Sequence, residues 1–254
     1  MNVYSSYRRG KVTLSGDPAA DLWIVPGAGS RAAHFQSFVE CTSVRAAALD
    51  LPGHGDNSES LCTSISAMAE ALEEALQTLD HPVVLLGHSM GGAVAIETAL
   101  RGKVNLKALI LYSTGARLKV SPVIFEVLQA QEARVRTREQ VRPFFSPMTP
   151  DSVVDVYLSL PDHSTNRQAL TDFHAVNLFD RMADLGNIRL PTLVVGGDLD
   201  FMTPAKYQEH LAATIPGAVR VVVEGAGHLA HLEKPAAFQQ AVESFIKGRV
   251  GATD

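Results

Sequence analysis

Short apolar runs alternate with segments of helical spacing along most of the chain. Apolar residues three and four positions apart predict helices near residue 30, over 64–79, after residue 91 and over 233–246. Runs typical of buried strands occupy residues 21–26, 44–50, 82–86, 106–112, 190–195 and 218–223. Strands that are apolar on both faces belong to parallel sheets covered by helices. The pattern therefore predicts an α/β fold, with a mostly parallel central sheet and helices on both of its faces.

Residues 116–186 depart from this alternation because they contain no clear buried strand. Repeated prolines divide the segment into what we interpret as several short helices inserted between two strands of the sheet. We predict that residues 116–186 form a helical cap on a core domain of residues 1–115 and 187–254. Within the cap, Arg134, Arg136 and Arg138 alternate with uncharged residues, and we interpret them as a solvated helix face.

Composition and charge exclude several classes of function. The chain has 254 residues, of which 46% are hydrophobic, and a formal net charge of −5 with scattered Lys and Arg, so a nucleic-acid partner is not expected. No apolar run approaches the ~20 residues that span a bilayer, and the N-terminal residues lack the apolar core of a signal peptide. We interpret Cys41 and Cys62 as reduced thiols. These features predict a cytoplasmic protein without a membrane partner.

The most informative motif is the sequence Gly87-His88-Ser89-Met90-Gly91, which lies between a predicted strand and a predicted helix. In this context, G-x-S-x-G places a serine on a sharp, strained turn that lifts its oxygen clear of the sheet. Glycines are required on either side because side chains there would collide with the neighbouring strand and helix. The motif predicts that Ser89 is a catalytic nucleophile.

A serine hydroxyl needs a general base, and the base needs a group that orients it. His228 follows the last predicted strand and is the candidate base, with His231 as its nearest rival. Two acids, Asp198 and Asp200, follow the strand predicted over 190–195, and either could orient the histidine. The chain order of serine, acid and histidine is the order found when a nucleophile elbow supplies the serine.

A tetrahedral intermediate also requires backbone N–H donors, which form an oxyanion hole. The residue after the nucleophile, Met90, is one candidate donor, and Ala28 or a residue next to it in the loop after the first predicted strand is the other. That loop lacks the lysine and the glycine spacing of nucleotide-binding loops, and the chain has no H-E-x-x-H metal motif. We therefore predict neither a cofactor nor a metal.

Taken together, these motifs resemble those of the α/β-hydrolase superfamily, and specifically its small cap-bearing serine esterases. The resemblance extends from about residue 20 to the C-terminal helix, and four segments carry it: VPGAGSRAAHF, LDLPGHGDNS, LLGHSMGG, and GGDLDFMTP with GAGHLAHLEKP. In such families the acid lies four residues before a proline, so the resemblance implies Asp200, before Pro204. Many members have His-Gly where this chain has Pro26-Gly27, and this difference is expected to alter how the oxyanion loop is supported.

The resemblance implies a carboxylesterase that hydrolyses a small-molecule ester through an acyl-enzyme intermediate. The same triad serves C–C bond hydrolases, thioesterases and lactonases, and these alternatives stay open, as does a non-catalytic ligand-binding protein. Substrate choice is expected to lie in the cap and beside the triad, where the candidate pocket residues are Phe144, Phe145, Tyr157, His163, Phe173, His174, Met202 and Leu229.

Overall fold

A computed structural model describes residues 6–130, 136–160 and 165–250. Its centre is an eight-stranded sheet with the strand order β1-β2-β4-β3-β5-β6-β7-β8. The strands are β1 (Ser6–Arg9), β2 (Val12–Gly16), β3 (Leu22–Val25), β4 (Ala46–Asp50), β5 (Val83–His88), β6 (Leu106–Tyr112), β7 (Thr192–Gly197) and β8 (Val219–Val223). All pairings from β4 to β8 are parallel. The predicted α/β fold with a mostly parallel sheet is therefore confirmed.

The two antiparallel strands at one edge, β1 and β2, were not predicted from the sequence. They form a hairpin that turns at Gly10, whose φ of +53° favours glycine, and β2 then pairs with β4. Buried positions alternate with partly exposed ones along β2, so the hairpin offers no continuous apolar run. Edge strands with one solvated face lack the signal that identifies the buried parallel strands.

The helices of the core follow the prediction closely, and at the C-terminal end a π-helical turn over Ile246–Val250 continues the last α-helix. They are α1 (Gln36–Cys41), α2 (Ile65–Leu76), α3 (Met90–Arg101), α4 (Pro122–Ala130), α5 (Arg138–Val141), α6 (Asp151–Ser159), α7 (Asn166–Leu178), α8 (Ala205–Thr214), α9 (Ala230–Glu233) and α10 (Pro235–Phe245). Ser64 caps α2 by accepting a hydrogen bond from the Ala67 N–H. The helix expected over 233–246 begins two residues later, because Pro235 is the first residue of α10, and the short α9 precedes it.

Alternate residues of each central strand pack into two separate cores. On one face, Trp23 and Val25 of β3 pack with residues of α2 and α3. On the other face, Leu22 and Ile24 pack with residues of α1 and α10. Helices thus cover both faces, and the carboxyl ends of β3, β5, β7 and β8 come together at one edge, where loops of an α/β sheet form sites.

The segment between β6 and β7 contains the helices α4 to α7. Val176 of α7 packs against the core of the sheet domain. Helices α5 and α6 contribute to a small cluster with Leu229, which also contains Val141, Phe145, Val154 and Tyr157. The division into a core of 1–115 and 187–254 and a cap of 116–186 stays a prediction. Within the described ranges, every helix is too short or too polar to cross a membrane.

Candidate active site

The predicted nucleophile lies on a strained turn between β5 and α3. Ser89 has a φ of +52°, in a region that residues with side chains rarely adopt and that costs on the order of 1–3 kcal/mol. A Cβ on Gly87 would overlap the Gly91 carbonyl, and a Cβ on Gly91 would overlap the carbonyl of Val25 at the end of β3. The two glycines therefore let the helix approach both strands closely, for the reason inferred from the sequence.

Strand β6 and the loop after it stabilise the backbone of the turn at Ser89. The Ser89 N–H donates to the Tyr112 carbonyl at 3.0 Å, and the Thr114 hydroxyl donates to the Ser89 carbonyl at 2.7 Å. Ser113, between these two partners, has a φ of +46°. Hydrogen bonds from β6 and the loop after it therefore stabilise the strained conformation that presents Ser89.

His228 and Asp200 lie in contact although 28 positions separate them in the chain. His228 Nδ1 lies 2.9 Å from Asp200 Oδ2, and both side chains are almost fully buried. The other carboxylate oxygen accepts from the N–H groups of Met202 and Thr203, and the Thr203 hydroxyl donates to Oδ2. Burial raises the pKa of Asp200, but the charge and hydrogen bond of His228, with the Thr203 donors, outweigh burial and lower the pKa to about 2. The acid is thus ionised and holds the histidine through Nδ1.

The rival acid Asp198 and the rival base His231 make other contacts. The exposed Asp198 accepts a hydrogen bond from the Gly225 N–H at 2.7 Å, which stabilises a turn. His231 is buried in α9, with Nδ1 3.0 Å from the Tyr112 hydroxyl and Nε2 3.2 Å from the His34 carbonyl. Burial lowers the pKa of His231 to about 4, so this ring is neutral. The structure brings His228, rather than His231, to Asp200.

Two further residues position His228, and the sequence did not indicate either. The His228 N–H donates to the Phe144 carbonyl at 2.8 Å, and His88 Nε2 donates to the His228 carbonyl at 3.0 Å. Burial lowers the pKa of His88 well below its usual range, and the neighbouring rings of His228 and His231 would further disfavour a positive charge there, so His88 acts as a neutral donor. Its place before Ser89 in the G-x-S-x-G motif was the available signal.

The loop after β3 lies directly beside the predicted nucleophile. A Cβ on Gly27 would be 3.1 Å from the Ser89 Cβ, and the Ser30 N–H closes a turn by donating to the Gly27 carbonyl. The Gly29 N–H donates to Asp172 at 2.7 Å and is therefore engaged, which leaves the predicted Ala28 N–H as a candidate oxyanion donor. Met90 is the first residue of α3, where helix N–H groups have no partner within the helix.

A cavity of about 60 Å³ contains both Ser89 and His228. The predicted pocket residues that line it are Phe144, Tyr157, Phe173, Met202 and Leu229. Phe145 instead packs inside the cluster of α5 and α6, and His174 stacks on Phe125, with ring centroids 4.6 Å apart. His163 lies outside the described residues.

A second cavity of about 240 Å³ also reaches Ser89 and Ala28. Its wall is mainly apolar and is formed by the loop before α4, by α4, by α7 and by the loop after β7. The apolar lining residues are Leu118, Val120, Ile124, Phe173, Val176, Phe201 and Met202. Ser89 therefore lies between a small cavity beside His228 and a larger apolar one. Among the residues that the structure describes, no three His, Cys, Asp or Glu side chains stand together as metal ligands.

Comparison with known proteins identifies the family. A sequence model of the alpha/beta hydrolase family matches residues 24–241. The chain belongs to this family. It is 30% identical over 217 residues to the pimeloyl-(acyl-carrier protein) methyl ester esterase of Neisseria meningitidis, a match that covers 79% of this chain and 68% of that protein. The predicted superfamily resemblance is thus confirmed.

Solved structures of this family share the architecture over nearly the whole chain. A hydrolase from Pseudomonas aeruginosa PA01 is 26% identical, with a TM-score of 0.81 and coverage of 95% of this α/β hydrolase and 97% of that chain. A thermophilic esterase is 29% identical, with a TM-score of 0.79 and coverage of 93% of both chains. Relatives detected by sequence and by structure thus include named esterases.

Proposed function

We propose that this α/β hydrolase cleaves carboxylic esters through an acyl-enzyme intermediate on Ser89. The observation that carries the proposal is that Ser89, on its strained turn, and His228 line one cavity. His228 Nδ1 is hydrogen-bonded to the ionised Asp200. The esterase names of its relatives support the same reaction class.

The proposed reaction uses His228 first as a base and then as an acid. Because Nδ1–H donates to Asp200, Nε2 is free to accept the Ser89 proton as the serine oxygen attacks the ester carbonyl. The N–H groups of Ala28 and Met90 would hold the oxyanion. The C–O bond to the alcohol breaks as His228 returns the proton to the leaving oxygen. Water then attacks the acyl-enzyme by the same sequence and releases the acid.

The two cavities indicate which part of the ester is small. The leaving alcohol must lie next to His228, which protonates it, and the cavity that contains His228 is about 60 Å³. The larger apolar cavity reaches Ser89 without His228 among its lining residues and has room for an acyl chain. We therefore propose a substrate with a short alcohol and an apolar acyl chain. The methyl ester that the meningococcal relative is named for has such an alcohol.

The test varies the two halves of the ester independently. One series contains the methyl, ethyl, butyl and benzyl esters of one acid, and the other contains methyl esters of acids from two to ten carbons. The rate of acid release is measured for each ester. We expect kcat/KM to fall steeply as the alcohol grows and to rise with acyl length before it levels. The opposite dependence would exclude this assignment of the cavities, and preferential cleavage of a thioester, lactone or diketone in the same assay would favour the alternative reactions.

The nucleophile is tested with a matched pair of variants. Ser89→Ala should remove turnover while the circular dichroism spectrum and Tm stay close to those of the wild type. Ser58→Ala, at an exposed position in the loop between β4 and α2, should retain wild-type turnover. Substantial ester hydrolysis by Ser89→Ala would overturn the proposed mechanism.

A further inference from the structure

A buried carboxylate from the segment between β6 and β7 holds the oxyanion loop. Asp172 of α7 is completely buried, and its Oδ2 accepts a hydrogen bond from the Gly29 N–H at 2.7 Å. The same oxygen lies 2.9 Å from Nε2 of His54, which belongs to the LPGHGDNS segment after β4. One oxygen atom thus joins three segments that are far apart in the sequence, directly beside Ala28.

The contacts of His54 define its charge. Its Nε2 faces the Asp172 carboxylate, and its Nδ1 lies 3.1 Å from the Pro52 carbonyl. Both partners are acceptors, so both ring nitrogens must carry hydrogens, which only the imidazolium form provides. Burial alone would lower the pKa of His54, but the hydrogen bond and charge of Asp172 outweigh it, and the pKa is raised above 6.5. The pair is therefore a buried ion pair.

The Gly29 carbonyl is also hydrogen-bonded by the segment between β6 and β7. Arg136 Nη2 donates to the Gly29 carbonyl at 3.1 Å, and its guanidinium lies over the ring of Tyr157, 5.1 Å from the centroid. Arg136 thus points inward, which differs from the solvated helix face expected for it; Arg134 lies outside the described residues. Side chains from residues 116–186 therefore fix both backbone polar groups of Gly29, whose φ of +61° requires a glycine-like conformation.

We propose that the His54–Asp172 ion pair is a positioning device that fixes the Ala28 N–H as an oxyanion donor by anchoring Gly29. The inference rests on the proposed function, because it assigns a role to a loop that serves the Ser89 reaction. Asp172 thereby supports the loop from outside it.

The pair makes the loop sensitive to alkaline pH. The titratable groups near it are Asp50, whose charge favours the imidazolium, and Cys62, which lies within the electrostatic reach of Asp172. Because the folded-state pKa of His54 is raised, its contribution is complete below pH 6.5 and is lost as pH rises through the folded-state value. The neutral ring would then turn a lone pair toward one of its two acceptors and loosen Gly29.

Asp172→Asn isolates the charge because asparagine retains an oxygen that can accept from Gly29. Losing a whole oxyanion donor costs about 10²- to 10³-fold in kcat, so loosening one should cost about tenfold, with little change in KM. We expect kcat of the wild type to decline at alkaline pH, and this decline should disappear or move in the variant. His54→Gln, which is neutral at every pH, should reproduce both effects. It provides the test if Asp172→Asn does not fold.

The matched control breaks a different ion pair between the same two parts of the chain. Glu97 of α3 pairs with Arg181 at 2.7 Å, away from Gly29. Glu97→Gln should lower Tm and leave both kcat and its pH dependence unchanged. Wild-type kcat and an unaltered alkaline limb in folded Asp172→Asn and His54→Gln would overturn the inference.

The charge of His54 can be measured without turnover, which separates this inference from the proposed function. In the NMR titration of the histidine C2 protons, the signal that is missing in His54→Gln should titrate above pH 6.5 in the wild type and lower in Asp172→Asn. A His54 signal that titrates at or below 6.5 in the wild type contradicts the ion pair. Failure of the Ser89 assays, with a raised His54 pKa, would instead count against the proposed function alone.

Discussion

Replacing Asp200 with asparagine should nearly abolish turnover because it reverses the tautomer of His228. In the wild type, Oδ1 accepts from the N–H groups of Met202 and Thr203, and Oδ2 faces His228. The asparagine oxygen would take the position with two N–H donors, which places the NH₂ group against Nδ1. His228 would then carry its proton on Nε2 and could not accept one from Ser89.

The magnitude follows from the chemistry and from the pKa of the acid. Presenting the wrong tautomer in such a triad costs about 10⁴-fold in kcat. Separately, the lowering of the Asp200 pKa from 3.8 to about 2 corresponds to about 2 kcal/mol of the free energy of unfolding at neutral pH. Because the folded-state pKa is depressed, this contribution is present above pH 3.8 and is lost as pH falls through about 2.

The assay is ester hydrolysis at pH 7 to 8, together with urea unfolding from pH 2 to 7. Asp198→Asn is the matched control, because this acid lies two positions away and accepts a hydrogen bond from the Gly225 N–H in an exposed turn. We expect Asp198→Asn to keep kcat within a few-fold of the wild type. Loss of activity in Asp198→Asn with retention in Asp200→Asn would show that Asp198, and not Asp200, orients His228. If stability depended on acid pH identically in Asp200→Asn and the wild type, the stabilisation attributed to the lowered pKa of Asp200 would be refuted.

Other substitutions test the supports of the site. Gly91→Ala would place a Cβ against the carbonyl at the end of β3, so we expect activity to be lost and the free energy of unfolding in urea to fall by several kcal/mol. The control Gly186→Ala, whose Cβ meets no atom within 4 Å, should leave both nearly unchanged. Tyr112→Phe removes the hydroxyl that donates to the His228 carbonyl, so the free energy of unfolding should fall by about 1–3 kcal/mol and kcat should fall with it. Ile124→Trp should narrow the larger cavity and shift the preferred methyl ester toward shorter acyl chains, whereas an unchanged chain-length profile would exclude that cavity as the acyl site.

The central strands and the strained turn at Ser89 were predictable because their causes are local. Residues 82–86 are continuously apolar since both faces of β5 are covered, and the turn that follows requires Gly87 and Gly91 at fixed spacing. The choice between Asp198 and Asp200 was not local, because both follow the same strand two residues apart. The resemblance favoured Asp200, and in the structure that residue is buried against His228 while Asp198 faces solvent.

The contacts that position the loops could not be read from the sequence. Asp172 lies 143 residues from Gly29 and 118 from His54, and no periodicity links residues at such separations. Phe144 supports His228 through its backbone carbonyl, which any residue type could provide. A local pattern therefore predicted which residues could react, while the tertiary fold determined which residues hold them in place.

Covalent trapping with a fluorophosphonate tests directly whether Ser89 is the nucleophile. The wild-type protein is incubated with a fluorophosphonate, and the intact mass and the modified peptide are measured, with Ser89→Ala treated in parallel. The account predicts one adduct per chain, located on Ser89 and formed more slowly in Asp200→Asn, and no adduct in Ser89→Ala. Labelling of Ser89→Ala at the wild-type rate, or an adduct on a different residue, would contradict it.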